Sequence, residues 1–380
     1  MNELFKIIDS LYDKYVKVWE DVCNIESPTS YKEGVNKVGA YFIDMAKELG
    51  FEYETHSGGD AGDAVCITMN GDVAKKPFVL SGHIDTVFPV GLFKVRNDGQ
   101  KIYGPGVCDC KGGVVMSMMV MEALKLYGFK GRPVMLLIQT DEEVGSRLSK
   151  RETINYICSK AKDAIGFINM EGASPDVNYA CLWRKGILCC TMEITGIAAH
   201  SSQCAIRGAN AILEAAHKII KLEALKDDKG LTCNCGVITG GTVRNTVAEK
   251  CSFSVDIRYA NAEQFEKAKA FIEQVAAQST VAGCKCEIKN LGHRVAMEKA
   301  DRNFELADKI NSIITLYGFE PFDMQGRKGG SDAADVTAAG IPCVDNLGAK
   351  GGGIHSTNEY AYLSSLDTGV KKIAVIAANI

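Results

Sequence analysis

Gly104-Pro105-Gly106-Val107-Cys108-Asp109-Cys110-Lys111-Gly112-Gly113 sets one acid, Asp109, between glycine-rich turns. Alone, an acid among glycines is a turn. Four other short apolar runs also stop at an acid or a histidine. Phe78-Val79-Leu80 precedes His83 and Asp85, and Val134-Met135-Leu136-Leu137-Ile138 precedes Asp141-Glu142-Glu143. Ile165-Gly166-Phe167-Ile168 precedes Glu171, and Ile341-Pro342-Cys343-Val344 precedes the loop with His355. Short apolar runs bounded by turn residues read as buried strands, and open α/β sheets bind ligands outside the strands' carboxyl ends. Five segments bringing imidazole and carboxylate to one edge have the composition of a metal site, with Asp109 where they converge.

The 380 residues suffice for two domains or one large one. A net charge of −4 with interspersed charges leaves no basic stripe, which argues against a nucleic-acid partner. No apolar run nears the roughly 18 residues a membrane span needs. Met1 to Cys23 is amphipathic and lacks the apolar core of a signal peptide, so a cytoplasmic location is expected. Fifteen cysteines are an odd number in a long chain and are expected as reduced thiols acting as small hydrophobes. The C-x-C pairs Cys108/Cys110, Cys233/Cys235 and Cys284/Cys286 lack the usual zinc-site spacing.

In chain order, Asn2–Asn24 and Tyr31–Gly50 have helical apolar spacing, and Ala64–Met69 and Pro77–Leu80 read as strands. His83 is either a hydrogen-bonded turn histidine or a ligand whose second ring N–H is fixed by Asp85. A helix opens at Lys111, and its Met-rich face reads as core. Gly104-x-Gly106 before it is not a dinucleotide fingerprint, because Asp109 stands where a third glycine belongs and would repel phosphate. Asp141-Glu142-Glu143 sits at a strand end, where adjacent carboxylates can divide metal binding and general-base work. From about residue 183 to 292 the order is strand–helix–strand–strand–helix–strand, a split βαβ, ferredoxin-like layer inserted into a catalytic domain of residues 1–182 and 293–380.

Nearly the whole chain resembles the co-catalytic zinc metallopeptidases that include glutamate carboxypeptidase (carboxypeptidase G), peptidase T, acetylornithine deacetylase and succinyl-diaminopimelate desuccinylase. It is most similar to the glutamate carboxypeptidase branch. The blocks that carry this are Ser81-Gly82-His83-Ile84-Asp85-Thr86, Gly104 to Gly113, Thr140 to Ser146, Met170-Glu171, Gly196 to Ser201, Asn245, Asp256-Ile257-Arg258, Gly329 to Ala333 and His355-Ser356.

The resemblance implies an α/β fold of the zinc exopeptidase type, with a central mixed, mostly parallel sheet, flanking helices and an inserted ferredoxin-like lid and dimerisation domain. His83, Asp109 and Glu171 would hold one zinc, and Asp109, Glu143 and His355 the other, with Asp109 bridging. Cobalt or manganese would also suit these donors. Asp85 would orient His83, and Glu142 would be the general base. His200 would reach a partner subunit's site and polarise the scissile carbonyl. Asn245 and Arg258 would hold substrate, Arg258 by its carboxylate, and the Gly330-Ser331 loop would line the same pocket. The cysteines flanking Asp109 are expected to point away from the metals. Two divalent cations, three carboxylates and a bridging hydroxide sum to neutral, which favours an ionised nucleophile near pH 7.

The expected reaction is cleavage of an amide beside a free-carboxylate amino acid, in a small peptide by a homodimer. N-acyl-amino-acid deacylase and di- or tripeptidase are the alternatives within the family. Its aminopeptidases and dipeptidases tend to carry Asp where this chain has Glu171, which favours carboxypeptidase or deacylase. A catalytically inactive binding protein would lack Glu142 or a ligand, and all are present.

Overall fold

Strands Phe78–His83, Val134–Gln139, Gly166–Asn169 and Cys343–Asp345 are buried at every residue. Each is an apolar run with β-branched or long aliphatic side chains, and each is covered on both faces, as a parallel sheet demands. In the computed structural model, which describes residues 1–227 and 229–380, these four form the parallel centre of an eight-stranded sheet. Their order is Val134–Gln139, Phe78–His83, Gly166–Asn169, Cys343–Asp345. Ala64–Met69 and Glu52–His56 add antiparallel on one side; on the other Tyr179–Arg184 pairs antiparallel with Cys343–Asp345, and Asp323–Arg327 lies at the edge beyond it. The sheet is therefore mixed, as expected, with its four central strands parallel. Those four are the ones whose carboxyl ends lead to His83, Glu142, Glu171 and His355.

The helix predicted after Asp109 spans Lys111–Leu126 and is buried on every side as far as Leu124. Its methionines, Met116, Met118, Met119 and Met121, are core, packed between the helices Asn2–Asn24 and Thr368–Asn379. A helix with no polar face must sit inside. Each fully buried aliphatic side chain of this kind contributes about 1.5–3 kcal/mol before entropy is counted.

The chain divides into two compact units. The first comprises Met1–Leu182, Lys299–Gly326 and Ser331–Ile380; the second comprises Trp183–Glu298 and Arg327–Gly330. In the second unit, Gly186–Thr195, Ala211–Glu223, Thr232–Gly240, Lys250–Tyr259, Ala262–Ala277 and Lys285–Arg294 alternate as βαββαβ. Its four strands pair antiparallel in the order Thr232–Gly240, Lys250–Tyr259, Gly186–Thr195, Lys285–Arg294. Alternating burial along Gly186–Thr195 puts one sheet face against the two helices. Asn210 and Asn261 cap those helices through their side-chain oxygens. The second unit extends past residue 292 because the last strand runs to Arg294 and Met297 accepts a hydrogen bond from the Arg184 N–H at 2.8 Å. The segment 327–330 joins it through Lys185 N–H on the Arg327 carbonyl.

Among the described residues, no helix is long and apolar enough to cross a membrane. All fifteen cysteines are free thiols.

Gly113, just inside the helix, and Gly348 have a shared packing reason. A Cβ on Gly113 would lie 1.9 Å from the Met170 carbonyl oxygen, and one on Gly348 would lie 1.9 Å from the same oxygen. Helix and loop thus close on the backbone just before Glu171 from two directions. Gly113→Ala should therefore lower stability by about 1–3 kcal/mol through overpacking. A denaturant midpoint indistinguishable from wild type in chelator-treated protein would contradict this packing.

Candidate metal centre

His83 ends its strand with the ring buried. Its Nδ1 lies 3.1 Å from the Asp85 carbonyl and 3.3 Å from Asp85 Oδ1, so Nδ1 carries a proton and Nε2, once it gives up its own, has the lone pair a metal needs. Nε2 is 3.0 Å from Asp109 Oδ1 and 3.6 Å from Glu171 Oε1. The other oxygen of Asp109 is 3.3 Å from His355 Nε2, which is 3.1 Å from Glu143 Oε2. One carboxylate thus faces two imidazoles, each with a further carboxylate beside it. All five predicted ligands meet here, within the first unit.

Burial raises the Asp109 pKa, but hydrogen bonds from His355 and His83 outweigh it and hold the carboxyl well below its usual range. Burial pushes Glu143 up to about 7 and raises Glu171 well above a normal glutamate, with Asp109 adding repulsion to both. Asp109 and Glu143 push His355 up to about 10. His83 is raised too: burial opposes its charge, but Glu171, Asp109 and Asp85 prevail. Buried carboxylates this close repel one another, and positive charge between them relieves it. Imidazole and carboxylate donors in this arrangement fit zinc, cobalt or manganese.

Two carboxylates outside the ligand set hold the loops that bear it. Asp85 is fully buried, and it accepts the N–H groups of Glu142 and Glu143, each at 3.2 Å, and the Thr29 hydroxyl at 2.7 Å. It therefore positions the general-base candidate as well as His83. Glu359, equally buried, accepts the N–H groups of Gly106 at 3.3 Å, Cys108 at 2.9 Å and Asp109 at 3.0 Å. Of the three acids after the Val134–Gln139 strand, Glu142 and Glu143 start a single 3₁₀ turn beside Asp85. Asp141 instead accepts Ser149 N–H and the Thr153 hydroxyl at 2.8 and 2.6 Å.

Cys110 departs from expectation. Its Sγ, with donor atoms of His83 and Glu171, forms a set within 4.8 Å, as do donors of His83, Asp109 and Glu143. Neighbours of a ligand point away from it where side chains alternate along a strand. Asp109 lies in a loop and Cys110 is the N-cap of the following helix, so alternation does not apply. The Cys110 thiol also donates to the Met170 carbonyl at 3.1 Å.

Residues 79–379 match the sequence profile of peptidase family M20/M25/M40. The chain belongs to this family. It is a metal-dependent hydrolase of the metallopeptidase and amidohydrolase type. Carboxypeptidase G2 of Pseudomonas sp. (strain RS-16) is 29% identical over 373 residues, covering 96% of this chain and 89% of that protein. Succinyl-diaminopimelate desuccinylase of Nitrosospira multiformis is 24% identical, covering 90% of this chain and 91% of that protein. A tripeptidase from Staphylococcus aureus has the same fold, with a TM-score of 0.82 at 22% identity over 97% of this chain and 99% of that one.

The remaining M20 site candidates fall elsewhere. His200, Asn245, Arg258 and Gly330 belong to the second unit. His200 and Asn245 are brought together there, since Ser201 N–H donates to the Asn245 carbonyl at 2.9 Å. His200 Nδ1 accepts Ser202 N–H at 3.3 Å and lies 2.8 Å from the Ser202 hydroxyl. Arg258 is clasped by Asp256 through two bonds of 2.7 and 3.0 Å. Ser331 belongs to the first unit, where it is fully buried and accepts Asn169 Nδ2 at 2.9 Å, a tie between loop and sheet. Glu359 escaped the sequence reading. An acid four residues after His355 was its only local signal, because its partners lie about 250 positions earlier.

Metal uptake at this M20 centre should displace protons. In chelator-treated protein His355 keeps its proton until pH rises toward about 10, and only neutral imidazole binds metal. Zinc affinity should therefore climb from pH 6 to 9. Calorimetric zinc titrations in two buffers of different ionisation enthalpy should show net proton release at pH 8, and zero release would contradict this electrostatic picture.

Proposed function

We propose that the protein is a carboxypeptidase-like exopeptidase that hydrolyses the amide bond next to a free-carboxylate amino acid, using two zinc ions. The observation carrying this reading is Asp109, whose two oxygens each face a different imidazole with its own carboxylate partner. That is the arrangement a carboxylate shared between two cations requires. His83, Asp109 and Glu171 would hold one ion, and Asp109, Glu143 and His355 the other. Bound there, the ions supply Lewis acidity toward the scissile carbonyl and a lowered pKa for the attacking water.

The chain's own groups do the rest. Asp85 fixes the His83 tautomer and, through two backbone N–H groups, the turn that presents Glu142. Glu142 takes the proton of the attacking water and delivers it to the leaving amine. His200 acts as an oxyanion donor: with Nδ1 accepting from Ser202, the ring proton sits on Nε2, which has no partner among the described residues. It serves the site of a second copy in a homodimer assembled through the inserted unit. Arg258, already held flat by a bidentate carboxylate in Asp256, presents the fork that suits a substrate carboxylate, and Asn245 assists it. The similarity to carboxypeptidase G2 favours peptide-type substrates ending in a free carboxylate. The similarity to succinyl-diaminopimelate desuccinylase makes N-acyl amino acids the second reading. A panel of short peptides and N-acyl amino acids, assayed for released amine, separates the two.

Glu142→Ala should reduce kcat by about 10²–10⁴-fold while both metals stay bound, whereas Glu143→Ala should lose metal. Metal analysis beside kinetics reads both, and the opposite pattern would mean that these neighbours exchange roles.

His200→Ala should cut kcat by roughly 10²-fold or more with folding and metal content intact. Co-expressed with Glu142→Ala, it should regain partial activity through hybrid dimers that contain one complete site. A verified heterodimer without recovery would show that His200 does not act across subunits.

A further inference from the structure

Behind the strand that delivers Glu171 lies a pocket of about 180 Å³ whose walls contain no aspartate or glutamate. Its floor is Asn346 to Gly348, tied to the catalytic strand by Gly348 N–H on the Glu171 carbonyl at 3.0 Å and Asn346 Nδ2 on the Gly172 carbonyl at 2.6 Å. None of the five metal ligands lines it.

Two lysines enter this pocket, Lys350 and Lys372. Lys372 Nζ donates to Asn178 Oδ1 at 3.1 Å and lies 5.0 and 5.9 Å from the ring centres of Phe322 and Phe319. Neither ammonium makes an ion pair among the described residues. Burial, seconded by repulsion from Lys350, lowers the Lys372 pKa, with Glu320 opposing. Two cations that share a partly enclosed space without a carboxylate are an unfavourable pairing, and an anion between them removes the cost. The rest of the wall sets the kind of anion. Val177, Phe322 and Ile373 give apolar surface beside the charges, which a bare inorganic ion would leave uncovered.

We propose that this pocket binds an organic carboxylate with an apolar body, the carboxylate between Lys350 and Lys372 and the body against Val177, Phe322 and Ile373. The site is separate from the metal centre and independent of the substrate class assigned to it.

The test is calorimetric titration of the zinc-loaded full-length protein with benzoate, with benzamide as neutral isostere and inorganic phosphate as bare anion. Wild type should bind benzoate saturably, and Lys350→Met and Lys372→Met should each weaken it about tenfold or more, the worth of one charged hydrogen bond. Benzamide and phosphate should bind at least tenfold more weakly than benzoate. Lys350→Met removes no side-chain bond among the described residues, so its turnover without benzoate should stay within about twofold of wild type, which also verifies folding. Benzoate binding that survives both substitutions would locate the anion at the zinc centre and overturn the proposal. Absent binding, equal binding of benzamide, or tighter binding of phosphate would overturn it as well.

Discussion

Asp85 and Glu359 each accept backbone N–H groups from the loops that carry the candidate metal ligands, and the geometry of the centre depends on those bonds. Asp85 takes the Glu142 and Glu143 amides while its carbonyl and carboxylate face His83. Glu359 takes three amides of the turn ending at Asp109. A loop that must leave its side-chain donors for a metal cannot also bury its own N–H groups unpaired, since each orphan costs about 1–3 kcal/mol. Supplying those partners from carboxylates outside the ligand set lets Gly106 to Asp109 and Glu142 to Glu143 stay rigid without regular secondary structure. The same bonds make ligands far apart in sequence into neighbours: Glu359 joins the His355 segment to Asp109, and Asp85 joins His83 to Glu143.

This arrangement concentrates negative charge. Asp109, Glu143 and Glu171 meet with Glu142 in a space from which water is largely excluded, and the raised pKa values of Glu143 and Glu171 are the direct consequence. The two imidazoles bring protons into that space, lowering the repulsion and depressing Asp109. Protons and metal ions therefore compete for the same positions, and the centre is built so that divalent charge replaces a weaker, protonic substitute.

The convergence of these histidines and carboxylates on one sheet edge was legible in the sequence because parallel strands advertise their ends. Phe78 to Leu80 and Val134 to Ile138 are uninterrupted apolar runs, and a polar residue straight after such a run can only lie at a sheet edge. The inserted layer was legible for a related reason, since alternation along Gly186–Thr195 and helical spacing along Ala211–Glu223 differ from the runs around them. The illegible features are those that long-range pairing decides. Glu52–His56 is mostly exposed and shows no apolar pattern, so only its pairing with Ala64–Met69 makes it a strand. The second unit runs past residue 292 because Met297 meets Arg184. Cys110 approaches His83 and Glu171 because a loop, not a strand, carries it.

The two units differ in what they ask of their sequences. Every candidate ligand belongs to the first unit, at the ends of buried strands that leave little freedom: Gly113 and Gly348 each press on the Met170 carbonyl, where one added methyl group has no room. The residues proposed to contact substrate, His200, Asn245, Arg258 and Gly330, belong to the second unit, on loops and on the strand face away from its helices. Their requirements are local. His200 needs Ser202 to set its tautomer, and Arg258 needs Asp256 to hold its fork. A substitution in the first group disturbs packing, charge balance and metal together, whereas one in the second changes a contact and little else. On these proposed roles, reaction chemistry is tied to the rigid unit and substrate choice to the tolerant one, so metal binding can be kept while the group that is cleaved changes.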